Sequence, residues 1–88
     1  MKILITGAFG NVGIAVVDAC LNRGHQVSIF EIRNRANEKK ARKYGCRLRN
    51  VYWGDIRNPG EIGAALAGQE VVIHLAAIIP PSIGFVAF

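Results

Sequence analysis

The sequence predicts an α/β fold of three layers: a parallel sheet of about four strands in the order 3-2-1-4, covered by helices on both faces. Two observations carry this. Short apolar runs alternate with stretches of helical period along the chain, giving β-α-β-α-β-α-β. The segments also follow one another without an internal linker, low-complexity tract or close repeat, so successive strands must be joined by crossover helices that pack back onto the sheet.

Each element has its own signal. Lys2-Ile3-Leu4-Ile5-Thr6 is an apolar run ending at a glycine-rich turn, as expected of a buried parallel strand. From Val12 the period changes: Val12, Ala15, Val16, Ala19 and Cys20 follow helical spacing and are expected to form the buried stripe, with Gly24 placed to end the helix. Gln26 to Glu31 reads as the second strand, and about Asn34 to Tyr44 as a strongly basic second helix. Arg47 to Trp53 is the third strand candidate, with Leu48 and Val51 as its apolar positions. Asn58-Pro59-Gly60-Glu61 carries a helix start: an N-cap, proline at the first helical position and a carboxylate three residues after the cap. Ile62, Ala65 and Leu66 supply that helix's buried stripe, and Gly68 ends it. Val71 to Ala76 is the fourth strand, apolar except at His74. Ile78-Ile79-Pro80-Pro81 turns the chain, and residues 78–88 form an apolar tail that reads equally as a fifth strand or a loose end.

Composition bounds the function. With 88 residues there is room for one domain, and a domain so small buries a modest share of its surface. At 51% hydrophobic and 19% charged residues, the chain is no disordered polyelectrolyte. Cys20 and Cys46 lie far apart outside any CxxC pair and read as reduced packing residues, which leaves no metal site. The apolar run at the N-terminus is too short for a secretory core or a membrane span, so a cytoplasmic protein without a membrane partner is expected. The net charge of +5 is concentrated at Arg33, Arg35, Lys39, Lys40, Arg42, Lys43, Arg47 and Arg49. A solvated helix face is the plain reading of that cluster, and a phosphate or acidic partner the sharper one. Aromatic residues are not interleaved with it as a base-stacking platform requires, so nucleic acid is not an expected partner.

The chemistry lies in Thr6-Gly7-Ala8-Phe9-Gly10-Asn11-Val12-Gly13, between the first strand and the first helix. Gly7 can take a turn conformation closed to other residues, Gly10 lets backbone approach a pyrophosphate, and Gly13 lets helix and sheet pack closely. A pyrophosphate there meets unpaired N–H groups at a helix N-terminus. This is the glycine loop of a Rossmann-type dinucleotide-binding domain, and Gly7, Phe9, Gly10, Asn11, Val12 and Gly13 are its expected cofactor contacts. Glu31, at the end of the second strand, is placed to accept hydrogen bonds from the adenosine ribose, which favours NAD. Arg33 and Arg35 lie close enough in sequence to hold the 2′-phosphate of NADP instead, which keeps NADP as the alternative.

The spacing Gly-x-x-Gly-x-x-Gly after Thr6, together with Gly54-Asp55-Ile56-Arg57 and His74-Leu75-Ala76-Ala77, resembles the extended short-chain dehydrogenase/reductases, the NAD-dependent epimerases and dehydratases that act on nucleotide sugars. The resemblance covers residues 1 to about 81. It implies that Asp55 and Ile56 contact the adenine, one by side chain and one by backbone, and that Leu75, Ala76 and Ala77 flank the cofactor cleft. Read without it, Asp55 is equally a turn cap, and His74 an ordinary strand residue. The family's catalytic tyrosine precedes a lysine by four residues, whereas here Tyr44 is followed at that spacing by Leu48 and Tyr52 by Ile56; Ser82 falls too early for the family's serine. The sequence is therefore expected to be a partial dinucleotide-binding domain, truncated relative to the family, with no catalytic residue of its own. Three functions fit: a module that holds the ADP portion of NAD, an oxidoreductase or epimerase completed by another chain, and an inactive remnant that folds by association. A homodimer or larger homo-oligomer is expected, in which strand four, the apolar tail, or both meet their counterparts.

Overall fold

In the computed structural model, which describes residues 1–75, β1 (Lys2–Thr6) lies between β2 (Gln26–Glu31) and β4 (Val71–His74), and β3 (Asn50–Trp53) lies outside β2. The order β3-β2-β1-β4 and the parallel pairing are those the alternation predicts. Ile3 pairs in register with Val27 on one side and Val71 on the other, and Thr6 pairs with Phe30 and His74. The connections are α1 (Asn11–Asn22), α2 (Arg35–Tyr44) and α3 (Pro59–Leu66), with a 3-10 turn (Gly45–Arg47) between α2 and β3.

Because side chains alternate across a strand, β1 and β2 each serve two layers. Ile3, Ile5, Val27 and Ile29 pack with Ala8, Phe9, Val17, Tyr44 and Leu48 beneath α1 and α2. Leu4 and Phe30 point the other way and meet Ala65 of α3. The helix ends follow local chemistry: Asn34 accepts the Asn37 N–H at 2.8 Å to start α2, and Asn58 accepts the Gly60 N–H at 3.1 Å, with Pro59 opening α3. No helix among the described residues is long and apolar enough to cross a membrane.

Four details depart from the sequence reading. In α1 the buried residues are Gly13 and Val17, with Val16, Cys20 and Leu21 packed beside them, while Val12, Ala15 and Ala19 are exposed. The stripe is rotated because its innermost member is a glycine, which hydrophobic counting passes over. In α3, Ala65 is buried and Ile62 half-buried, but Leu66 is exposed. The third strand starts at Asn50 rather than Arg47: Gly45, at φ 57°, ends α2, Gly45–Arg47 form the 3-10 turn, and Leu48 drops into the core before pairing begins. The fourth strand ends at His74; Ala76 and the tail of residues 78–88 lie outside the described residues.

Ser28, paired with Leu4, is fully buried with no hydrogen-bond partner for its hydroxyl among the described residues. An orphaned buried hydroxyl costs about 1–3 kcal/mol. Ser28→Ala should therefore raise stability by about 1 kcal/mol, measured by urea unfolding; a lower midpoint at unchanged slope would contradict it.

Candidate functional site

The carboxyl ends of the strands bring the predicted residues to one edge of the sheet. β1 runs into the glycine loop, whose Gly7 adopts φ 67° and donates its N–H to the Phe30 carbonyl of β2 at 3.2 Å. A side chain there would be strained. Gly13 serves closeness rather than conformation: a Cβ at this position would stand 2.4 Å from the Ala8 carbonyl oxygen and 2.6 Å from that of Gly7. Gly10 differs from both, since among the described residues a Cβ on it would meet nothing within 4 Å. It is the N-cap of α1, with its carbonyl accepting the Ile14 N–H at 2.9 Å. No side chain caps this helix and no acidic residue occupies its first turn, where Asn11 and Val12 are exposed. The open face at Gly10 and the uncapped helix start form the cradle that a pyrophosphate requires, so these residues fit the group.

Glu31 closes one side of the loop. Its Oε2 accepts the Phe9 N–H at 3.2 Å, and its Oε1 accepts the Ile32 N–H at 3.0 Å. The Phe9 carbonyl is held from the other side by Lys40 Nζ at 2.8 Å. Phe9 itself is 2% exposed, its ring stacked on Tyr44 at 6.4 Å between centroids. Phe9 therefore meets the core with its side chain and the loop's supports with its backbone, and its ring does not face the cleft.

Lys40 is the positioned residue that the sequence reading passed over within the basic cluster. A signal was present: Asn37, Lys40, Ala41 and Tyr44 share the inward stripe of α2, and Lys40 is the cation on it. Arg33, just beyond Glu31, lays its guanidinium over Trp53 at 5.4 Å and approaches Glu38 at 3.8 Å. Arg35 opens α2 as an exposed residue.

Asp55 and Ile56 follow β3 at the same edge. The Asp55 N–H donates to Glu61 Oε2, the carboxylate that the helix-start signature singled out, and the Asp55 carboxylate is gripped by Arg57 through Nε at 3.0 Å and Nη2 at 2.5 Å. That side-chain hydrogen bond, reinforced by the Arg57 backbone N–H, holds the Asp55 carboxyl down to about 2 from its usual 3.8. Ile56 packs against the layer of Leu4, Phe30 and Ala65. Across the sheet, His74 Nδ1 meets Thr6 Oγ1 at 2.7 Å, and the Leu75 N–H donates to the Thr6 carbonyl at 3.0 Å. His74 thus ties β4 to β1. Ala76 and Ala77 lie outside the described residues.

The glycine loop, the uncapped helix and the carboxylate at the end of β2 lie together at the carboxyl ends of a parallel α/β sheet, where such folds take a dinucleotide. Comparison with known proteins agrees. Residues 3–82 match the model of the NAD-dependent epimerase/dehydratase family. The chain is 32% identical over 81 residues to the fatty acid hydroxylase uhd1 of Mycosarcoma maydis, which covers 91% of this chain and 27% of that protein. It is 35% identical over 78 residues to a 3-beta-hydroxysteroid dehydrogenase of Mycolicibacterium neoaurum, covering 89% of this chain and 20% of that one. It is 33% identical over 85 residues to a UDP-glucose 4-epimerase of Klebsiella pneumoniae, covering 89% of this chain and 60% of the relative. The chain spans only about a quarter of the length of the first curated relatives it matches. It belongs to the NAD-dependent epimerase/dehydratase family, of which it carries the NAD(P)-binding Rossmann fold.

Proposed function

We propose that this chain binds NAD in preference to NADP, holding chiefly its ADP portion. Pyrophosphate would lie on the loop from Gly7 to Gly13 and the first turn of α1, ribose against Glu31, and adenine beside Asp55 and Ile56. By the family resemblance, Leu75, Ala76 and Ala77 would flank the cleft. The observation that supports this reading is the seat of Glu31: its carboxylate reaches the glycine loop at the Phe9 N–H, 3.2 Å away, so a ribose joined to a pyrophosphate on that loop would lie within its reach. An acceptor in that place favours a free ribose diol and opposes a phosphate on it.

Bound NAD would supply hydride transfer, and this chain's residues would bind and orient it. None of them is assigned as catalytic. The Tyr44 hydroxyl is given to Asp18 at 2.8 Å, and neither tyrosine is followed by the lysine of the family's pair. The substrate, and an active site completed by other residues, belong to the longer relatives' chemistry. Self-association is part of the same proposal, through β4, one of the two outer strands of the sheet among the described residues, where Val72 is exposed.

The test is calorimetric titration of the full chain with NAD and ADP-ribose. Both should bind with dissociation constants roughly in the micromolar to millimolar range and within a few-fold of each other, since the interactions proposed are all with the shared ADP-ribose portion. No binding of either at millimolar concentration would overturn the proposal.

A further inference from the structure

A second concave site lies between α1 and α2, a cavity of about 340 Å³ lined by Ile14, Asp18, Lys40, Lys43, Tyr44 and Arg47. It lies next to the glycine loop, since its lining residues Ile14, Lys40 and Tyr44 each also contact that loop, at Gly10 or Phe9. Three of its six lining residues are cations and one is an acid, and that acid is already used. Asp18 accepts the Tyr44 hydroxyl at 2.8 Å, and burial together with this hydrogen bond pushes the Tyr44 phenol up to about 12, so it stays a neutral donor at physiological pH.

The cations are left without anionic partners. Among the described residues the ion pairs are Arg33 with Glu38 and Arg57 with Asp55, and neither involves this cavity. α2 carries five basic residues against Glu38 alone, an arrangement that repels itself and that an anion would relieve. Arg47 is held at the cavity by its own contact: its guanidinium lies over the Tyr44 ring at 5.2 Å, a contact that takes up none of the N–H donors an oxyanion would use. Lys43 and the remaining N–H bonds of Lys40 add donors, while Ile14 and the Tyr44 ring supply apolar wall. A volume at the lower end for ligand pockets suits a small phosphorylated molecule rather than a polymer.

We propose that this cavity is a second anion site, which takes a small phosphate-bearing ligand of the pyrophosphate or phosphate-ester class through Lys43, Arg47 and Lys40, separately from the glycine loop. The proposal stands on the cavity and its charges and does not depend on the dinucleotide reading.

The probe is inorganic pyrophosphate, applied to the full chain at constant ionic strength set with chloride, with thermal unfolding as the readout. Saturating pyrophosphate should raise Tm by about 5 °C, the rise persisting when NAD already fills the loop site. Lys43→Gln and Arg47→Gln, both at exposed positions, should fold and bind NAD as the parent does while losing most of that rise, each measured from its own unliganded Tm. No rise with the parent chain, a rise abolished by NAD, or an undiminished rise in both variants would each overturn the proposal. A chain that fails to bind NAD yet is stabilised through Lys43 and Arg47 would sink the dinucleotide reading and leave this one in place.

Discussion

Gly13→Ala should lower the melting temperature by roughly 10–20 °C. The added methyl would sit 2.4 Å from one backbone oxygen and 2.6 Å from another, and neither can swing aside as a side-chain tip would, since both belong to the turn that Gly7 sets. Overpacking of this kind costs about 1–3 kcal/mol or more, in a domain whose total stability is of order 5–15 kcal/mol and, at this size, towards the lower end. Gly10→Val, three residues earlier, should do the reverse. It has open space for its side chain and costs at most about 1 kcal/mol as a poorer N-cap, but it fills the face offered to the pyrophosphate and should weaken NAD binding at least roughly tenfold. Thermal melts and calorimetry on both variants separate the two roles. A Gly13→Ala chain as stable as the parent, or a Gly10→Val chain with unchanged NAD affinity, would refute the corresponding assignment.

Glu31→Ser should convert the nucleotide preference. In the parent, a carboxylate at the ribose accepts hydrogen bonds from NAD and faces the 2′-phosphate of NADP as a like charge. Such a pair costs several kcal/mol where water is excluded, and each ~1.4 kcal/mol is a tenfold change in affinity. The parent should therefore bind NAD at least roughly tenfold more tightly than NADP. Serine removes the repulsion while Arg33, steadied over Trp53, and Lys40, on the Phe9 carbonyl, remain as cations near the phosphate. NADP affinity should rise and NAD affinity fall. The comparison belongs at one fixed salt concentration, because exposed arginine–phosphate attraction is screened. Equal affinities in the parent, or a variant that does not move towards NADP, would leave the basic residues as the determinant of choice.

The strands, their order and the start of α3 were legible because each rests on a local rule: apolar runs for β1 and β2, Asn58 as a cap, and positive-φ glycines as stops at Gly24 and Gly68. What was not legible depends on the third dimension. The stripe of α1 turned on Gly13, whose importance is the absence of a side chain. Leu66 satisfied the helical period yet lies exposed, since α3 packs on the sheet through Ala65. Within the candidate site, spacing alone brought the loop glycines and Glu31 to the same edge of the sheet. Lys40 was hidden among like charges until α2 was oriented, and so was the inward turn of the Phe9 ring, because position in a motif does not say which way a ring points.

The central place of β1 also constrains the order in which the chain can fold. Met1 and His25, 24 residues apart, meet where β1 and β2 begin, whereas Thr6 and His74, 68 residues apart, meet where β1 and β4 end. Closing the longer loop costs about 1 kcal/mol more in chain entropy, so the β1-α1-β2 unit is the favoured nucleus and β4 the late arrival. Until β4 docks, one edge of β1 stays unpaired, with Ile3, Leu4 and Ile5 along it. The slow step of folding is then also the moment of greatest exposure to aggregation, and nascent chains should be most vulnerable before residue 74 has been made.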